Sequence, residues 1–250
     1  MSDPVATRPA VDLGASFGFV LKDKAWISKV ILPGLLTFIP ILGPLALLGW
    51  ERRIYHQIRA GQEDEGLPAM DIGDDIAGGV APAVALLNLF GPLLIFPMLF
   101  AMFPVLISIG EAAGNRTVLD LIRAFVMLMT VVGGLGFAAL SFGAGFLVPE
   151  LLRRGFNGEA TPALRPRVSV AAIQENPMPL IVAALGMMGA NFVGSLGWMA
   201  CGIGLVLTVP FAVATNAHIT AQWARVAEAP PPTPDAPSPP PNAVAWRGNR

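Results

Sequence analysis

Four long stretches without an ionised side chain constrain this chain more than any motif does. Val30 to Trp50 holds none in 21 positions, Ile76 to Gly110 none in 35, Ala124 to Pro149 none in 26, and Asn176 to Ala224 none in 49, counting His218 as neutral. A helix crossing bilayer hydrocarbon needs roughly 20 mostly apolar residues, and each stretch is long enough. A helix on a soluble core would show a polar face at every turn. A membrane barrel would alternate apolar and polar residues, and the run Phe90 to Phe103 shows no alternation. Only 13% of the residues are charged, against about 25% in an ordinary soluble domain. The expected fold is therefore an all-α polytopic integral membrane helix bundle.

About six helical segments are expected, near 27–39, 44–59, 78–110, 118–149, 178–197 and 201–224. They form two broken hairpins flanking two long spans, in one membrane domain over 11–226. Ile27 to Ala60 is either one span ending near Trp50 or, the preferred reading, a hairpin broken at Ile39-Pro40-Ile41-Leu42-Gly43-Pro44, because proline removes a backbone donor and clashes inside a helix. Its first arm, at ~20 Å, is too short to span upright. The 49-residue stretch would run ~74 Å as one helix, so it must fold back, with Gly194 to Gly204 as the turn. Each half carries an amphipathic segment followed by a broken apolar pair, which suggests an internal repeat. The amphipathic segments are candidate interfacial helices. Val11 to Trp26 carries Leu13, Phe17, Val20 and Leu21 on one face, with Trp26 as an interface anchor. Val168 to Glu175 is the second. Residues 1–10 read as a disordered leader. Residues 227–250 read as a disordered tail, with proline at eight of the twelve positions 230–241, and offer a docking strand for a protein partner.

Basic residues set the expected orientation. Lys22, Lys24 and Lys29 precede the first hairpin and Arg52, Arg53 and Arg59 follow it; Arg153, Arg154, Arg165 and Arg167 precede the last pair and Arg225 follows it. The positive-inside rule then places both termini in the cytoplasm of a multi-pass cell-membrane protein. Net charge is −1, so no pull toward nucleic acid is expected.

Several residues together carry a family likeness. Phe19-Val-Leu-Lys-Asp-Lys-Ala-Trp, Ile39-Pro-Ile-Leu-Gly-Pro, Arg52-Arg53, then Gly61, Glu63 and Leu67-Pro68 before an acidic segment, resemble the bacterial and archaeal membrane proteins grouped as domain of unknown function 4013. Cys201-Gly-Ile-Gly-Leu-Val-Leu-Thr-Val-Pro-Phe, with Ala217-His218 following, is similar to that family's last span. The chain departs from the pattern at Met70, where the family usually has an aromatic residue, and at Gly202, where it has a second cysteine. The resemblance implies a small polytopic membrane protein and no particular activity.

Candidate sites are few. Trp26, Lys29, Arg52, Arg53, Arg153 and Arg154 flank apolar segments, where basic residues attract anionic headgroups at about 1 kcal/mol each. Asn88, Asn191, Thr208, Thr215 and His218 are polar groups within apolar stretches, costly in lipid and therefore worth following. Asp71, Asp74 and Asp75 share one helical face and form a weak metal candidate, in the stretch 63–75 that holds six acids and no base. Glycines 133, 134, 136, 143 and 145 suggest close helix packing. No cofactor and no catalytic motif is expected; neither His-Glu-x-x-His nor Gly-x-x-x-x-Gly-Lys occurs. A non-enzymatic module binding membrane lipids or a protein partner is the leading function. The alternative is a small transporter or channel, with a cavity lined by Asn88, Asn191 and Thr208.

Overall fold

The computed structural model describes residues 10–112, 114–159, 174–200 and 202–229. Among these residues all regular structure is helical, as long apolar runs require in lipid, where every backbone group must be bonded within its own segment. The helices are α1 (Leu13–Lys22), α2 (Trp26–Leu36), α3 (Leu42–Arg59), α4 (Ile72–Phe90), α5 (Ile95–Ala101), α6 (Phe103–Ala112), α7 (Arg116–Gly145), α8 (Val148–Phe156), α9 (Pro177–Ser195) and α10 (Leu205–Ala227). The expected leader, the segment around Val168 and the proline-rich tail lie essentially outside the described residues.

Among the described residues, three elements are long and apolar enough to cross a membrane: Ile72–Ala112, Arg116–Gly145 and Pro177–Ala200. The first continues from α4 through a 3-10 turn (Gly91–Leu94) into α5 and α6. Pro92, Pro97 and Pro104 lie at or near these joints, where each removes an amide donor from the ladder. No residue of α7 is buried. Its glycines form the expected packing stripe only in part: a Cβ on Gly133 would meet Phe100 and one on Gly145 would meet Met188, whereas Gly134, Gly136 and Gly143 face open space among the described residues.

The glycines that bring backbones together lie elsewhere. A Cβ on Gly49 of α3 would sit 1.7 Å from the carbonyl oxygen of Asp75, and one on Gly79 of α4 would sit 1.9 Å from that of Leu45. Helices α3 and α4 therefore touch main chain to main chain, as small residues permit.

The break in the first hairpin is a γ-turn. The Leu42 amide donates to the Pro40 carbonyl at 2.8 Å, and Ile41 adopts φ 68°, ψ −58°. That is the rare, strained form of the turn, and it reverses the chain within a few residues.

Helix α4 starts at Ile72, ahead of the expected 78–110 segment and within the acidic stretch 63–75. Asp71 caps it, accepting from the amides of Gly73 and Asp74, while Asp75 accepts from the Asp71 amide. Carboxylates are favoured at this end by the helix dipole.

The ends of α3, α8 and α10 meet the starts of α4 and α9 at one polar end of the bundle. Most of the large buried side chains pack there: Trp50, Ile54, Tyr55 and Ile58 of α3, Phe156 of α8, and Ile219 and Trp223 of α10, with Phe19 and Val20 of α1 and Leu67 of the α3–α4 loop. The second half of α3, Glu51–Arg59, belongs to this polar end and lies outside the three spans. Helix α1 buries Ser16, Phe19 and Val20 against the bundle while Leu21 stays 59% exposed, so its packed face is rotated from the expected stripe. Trp26 is half-buried against the same core.

Candidate functional site

Most of the basic residues at the polar end bind the protein itself. Glu150 is fully buried. It accepts from Arg153 Nε and Nη2 at 2.9 and 2.8 Å, from Arg154 Nε at 2.6 Å and from the indole of Trp223 at 2.9 Å. Burial pushes its carboxyl up, but the bonds and charge from Arg153, with those from Arg154 and Trp223, outweigh this and hold it below the usual range. Arg153 and Arg154, expected to face headgroups, are thus turned inward. Lys29 pairs with Asp23 at 2.8 Å, and Asp23 also accepts from the amides of Ala25 and Leu67. Arg225 bridges the Ile58 carbonyl and Glu63, and Arg59 pairs with Glu228.

His218, one of the polar candidates within the apolar stretches, belongs to a clasp between α1 and α10. Its Nδ1 lies 3.0 Å from Ser16 Oγ and 3.0 Å from Gln222 Nε2. Gln222 also accepts from the Asp12 amide and donates to the Asp12 carbonyl. Glu63 stands 3.9 Å from His218 Nε2. The expectation of no catalytic motif is corrected here, because Gly14-Ala15-Ser16-Phe17-Gly18 has the Gly-x-Ser-x-Gly spacing. Its setting is wrong for a nucleophile elbow, which needs an exposed serine on a sharp strand-to-helix turn. Ser16 sits inside α1, is wholly buried and donates to the Asp12 carbonyl at 2.9 Å. The Ser-His-Glu group therefore ties α1 down.

The intramembrane polar residues do not converge. Asn88 is exposed on α4. Asn191 accepts from Asn216 at 3.1 Å, Thr208 donates to the Gly194 carbonyl at 2.7 Å, and Thr215 donates to the Phe211 carbonyl. These bonds join α9 to α10 or close within α10, the usual use of polar groups between membrane helices.

One open cleft of about 540 Å³ lies between α3 and α4 at the polar end, lined by Gly49, Arg52, Arg53, His56, Asp74, Asp75, Ala77 and Gly78. The close contact of Gly49 with α4 brings these side chains onto facing walls. Arg53 is spent: one terminal nitrogen donates to the Ala69 carbonyl and the other pairs with Asp75 at 2.8 Å. Arg52 donates through Nε to the Phe156 carbonyl at 2.9 Å. Its two terminal nitrogens bond no other group among the described residues. His56 donates through Nε2 to the same carbonyl, and burial, with the charges of Arg52 and Arg59, holds it below its usual range. It is neutral at pH 7. Asp71 caps α4 and Asp75 pairs with Arg53, the Asp74 carboxylate has no bond among the described residues, and no group of three or more metal-holding side chains occurs among them.

The family model described as "Protein of unknown function (DUF4013)" matches residues 32–203, more than half of the chain. The chain belongs to this family. No curated protein and no solved structure matches it. The DUF4013 match includes every residue lining the α3–α4 cleft, whereas α1 and the His218–Gln222 clasp fall outside it. Gly202, one of the two departures from the family pattern, has φ 80°, a conformation in which a cysteine would be strained.

Proposed function

We propose that this chain is a non-enzymatic membrane module that holds the headgroup of a membrane lipid in the cleft between α3 and α4. The supporting observation is Arg52, whose guanidinium faces the cleft with two terminal nitrogens uncommitted among the described residues, while Lys29, Arg53, Arg153 and Arg154 are all paired within the protein. A planar fork of this kind suits a phosphate. The cleft sits at the polar end of apolar helices, beside the start of the span-length element Ile72–Ala112, where a headgroup would be within reach. By the basic residues around it, this end faces the cytoplasm of the cell membrane. A protein partner on the proline-rich tail is compatible with this role.

The test is phospholipid retention. The protein, purified in mild detergent, is analysed by native mass spectrometry before and after a delipidating wash. Wild type keeps a bound phospholipid through the wash and Arg52→Gln loses it, with the circular dichroism of the two proteins superimposable. Equal retention by both would refute the cleft as the binding place.

A further inference from the structure

The charges of the cleft also select the kind of headgroup. Arg53 and Asp75 neutralise one another at 2.8 Å, with the Asp75 side chain only 2% exposed. His56 is neutral. Two charges remain without a partner charge among the described residues: Arg52 on the α3 wall and Asp74 on the α4 wall. The Asp74 amide serves the helix cap, but its carboxylate accepts no hydrogen bond among the described residues. A headgroup carrying only negative charge would gain Arg52 and be repelled by Asp74. A phosphate joined by a short linker to a primary ammonium would satisfy both walls, because the ammonium N–H groups donate to the carboxylate. A quaternary ammonium has no N–H to donate.

The surface beneath the cleft distinguishes a lipid from a soluble phosphoamine. From Asp74 along α4, the outward positions are Ala77, Val80, Val84 and Leu87, spaced three or four apart and so on one face. Val80, Val84 and Leu87 are 48%, 42% and 62% exposed. This apolar strip leads from the charged cleft into the spanning part of the helix, as acyl chains attached to the headgroup would run.

Resting on the lipid-binding reading above, we infer that the α3–α4 cleft recognises a zwitterionic phospholipid with a primary amine, the ethanolamine type, with phosphate on Arg52 and ammonium on Asp74. The full chain is reconstituted in nanodiscs holding equal amounts of phosphatidylethanolamine, phosphatidylcholine and phosphatidylglycerol. Bound lipid is released into detergent and identified by native mass spectrometry. Wild type should enrich the ethanolamine lipid about fivefold over the other two, roughly the weight of one interfacial charge contact. Asp74→Asn, at an exposed position in the first turn of α4, should retain phospholipid but lose the preference. Arg52→Lys should keep the preference with weaker retention.

Phosphatidylglycerol bound as well as the ethanolamine lipid by wild type, or a preference unchanged in Asp74→Asn, would overturn the assignment while leaving lipid binding intact. Loss of all lipid dependence on Arg52 would instead remove the reading on which it rests. Displacement of the lipid by soluble phosphoethanolamine at equal concentration would overturn the choice of a lipid as ligand.

Discussion

The indole N–H of Trp223 in α10 donates to Glu150 in α8 across 2.9 Å, where both side chains are fully buried. With Arg153 and Arg154 on the same carboxylate, this joint holds the last helix to the end of the α7–α8 arm. Glu150→Gln leaves two arginines facing a neutral group and should cost about 3–5 kcal/mol. Trp223→Phe removes one donor and should cost about 1–3 kcal/mol. Thermal melting in detergent micelles measures both. Because the folded carboxyl lies below its ordinary value, its contribution is full above the unfolded pKa near 4.5 and is lost as the pH falls through the folded one. The gap between wild type and Glu150→Gln should therefore close in acid.

Glu51 gives the opposite pH dependence. It is 3% exposed, its Oε1 has no partner among the described residues, and burial pushes its carboxyl up to about 8. The folded state therefore favours the protonated acid. Its contribution is full below the unfolded value near 4.5 and is lost as the pH rises to about 8. Glu51→Gln should be close to neutral at pH 5 and stabilising by a few kcal/mol at pH 8. Parallel melting curves of the two proteins at both values would show that Glu51 is solvated after all.

Gly49 and Gly136 look alike in the sequence and should behave differently. Gly49→Ala places a methyl group against the Asp75 carbonyl and forces α3 from α4. A loss of at least 1–3 kcal/mol is expected from such overpacking. Gly136→Ala meets no atom within 4 Å and should be neutral or slightly stabilising, since alanine is the better helix former by about 1 kcal/mol. The same melting assay compares them.

Gln222→Ala should loosen α1. It removes both links to Asp12 and the contact with His218. Hydrogen exchange should speed up across residues 13–22 and remain unchanged in α4. In the intact protein a fluorophosphonate probe should leave Ser16 unlabelled, because its hydroxyl is buried. Stoichiometric labelling would make the Gly14–Gly18 motif a true nucleophile site.

Part of the candidate site was legible in the sequence. Arg52 and Arg53 stand out because, with Glu51, they close a run of 21 uncharged residues. Nothing in their spacing distinguishes them, yet one is neutralised by Asp75 and the other is left facing the cleft. Arg153 and Arg154 carry the same local signal and turn inward. Ser16 stands in a Gly-x-Ser-x-Gly spacing that points to chemistry its buried setting does not allow, and Gln222 carried no signal of its own; the importance of each lies in a partner about 200 positions away.

A helical chain suited to lipid is already required by the order of the residues, because hydrocarbon excludes ionised groups and unbonded backbone, and both demands act on each segment alone. The Pro40 break is marked in the same way, since proline acts on its own turn of chain. Which charges are spent and which remain available is settled only once the helices have packed. Ion pairing depends on which walls face one another, and here that follows from Gly49 and Gly79 drawing α3 onto α4, a contact between positions that no local pattern connects.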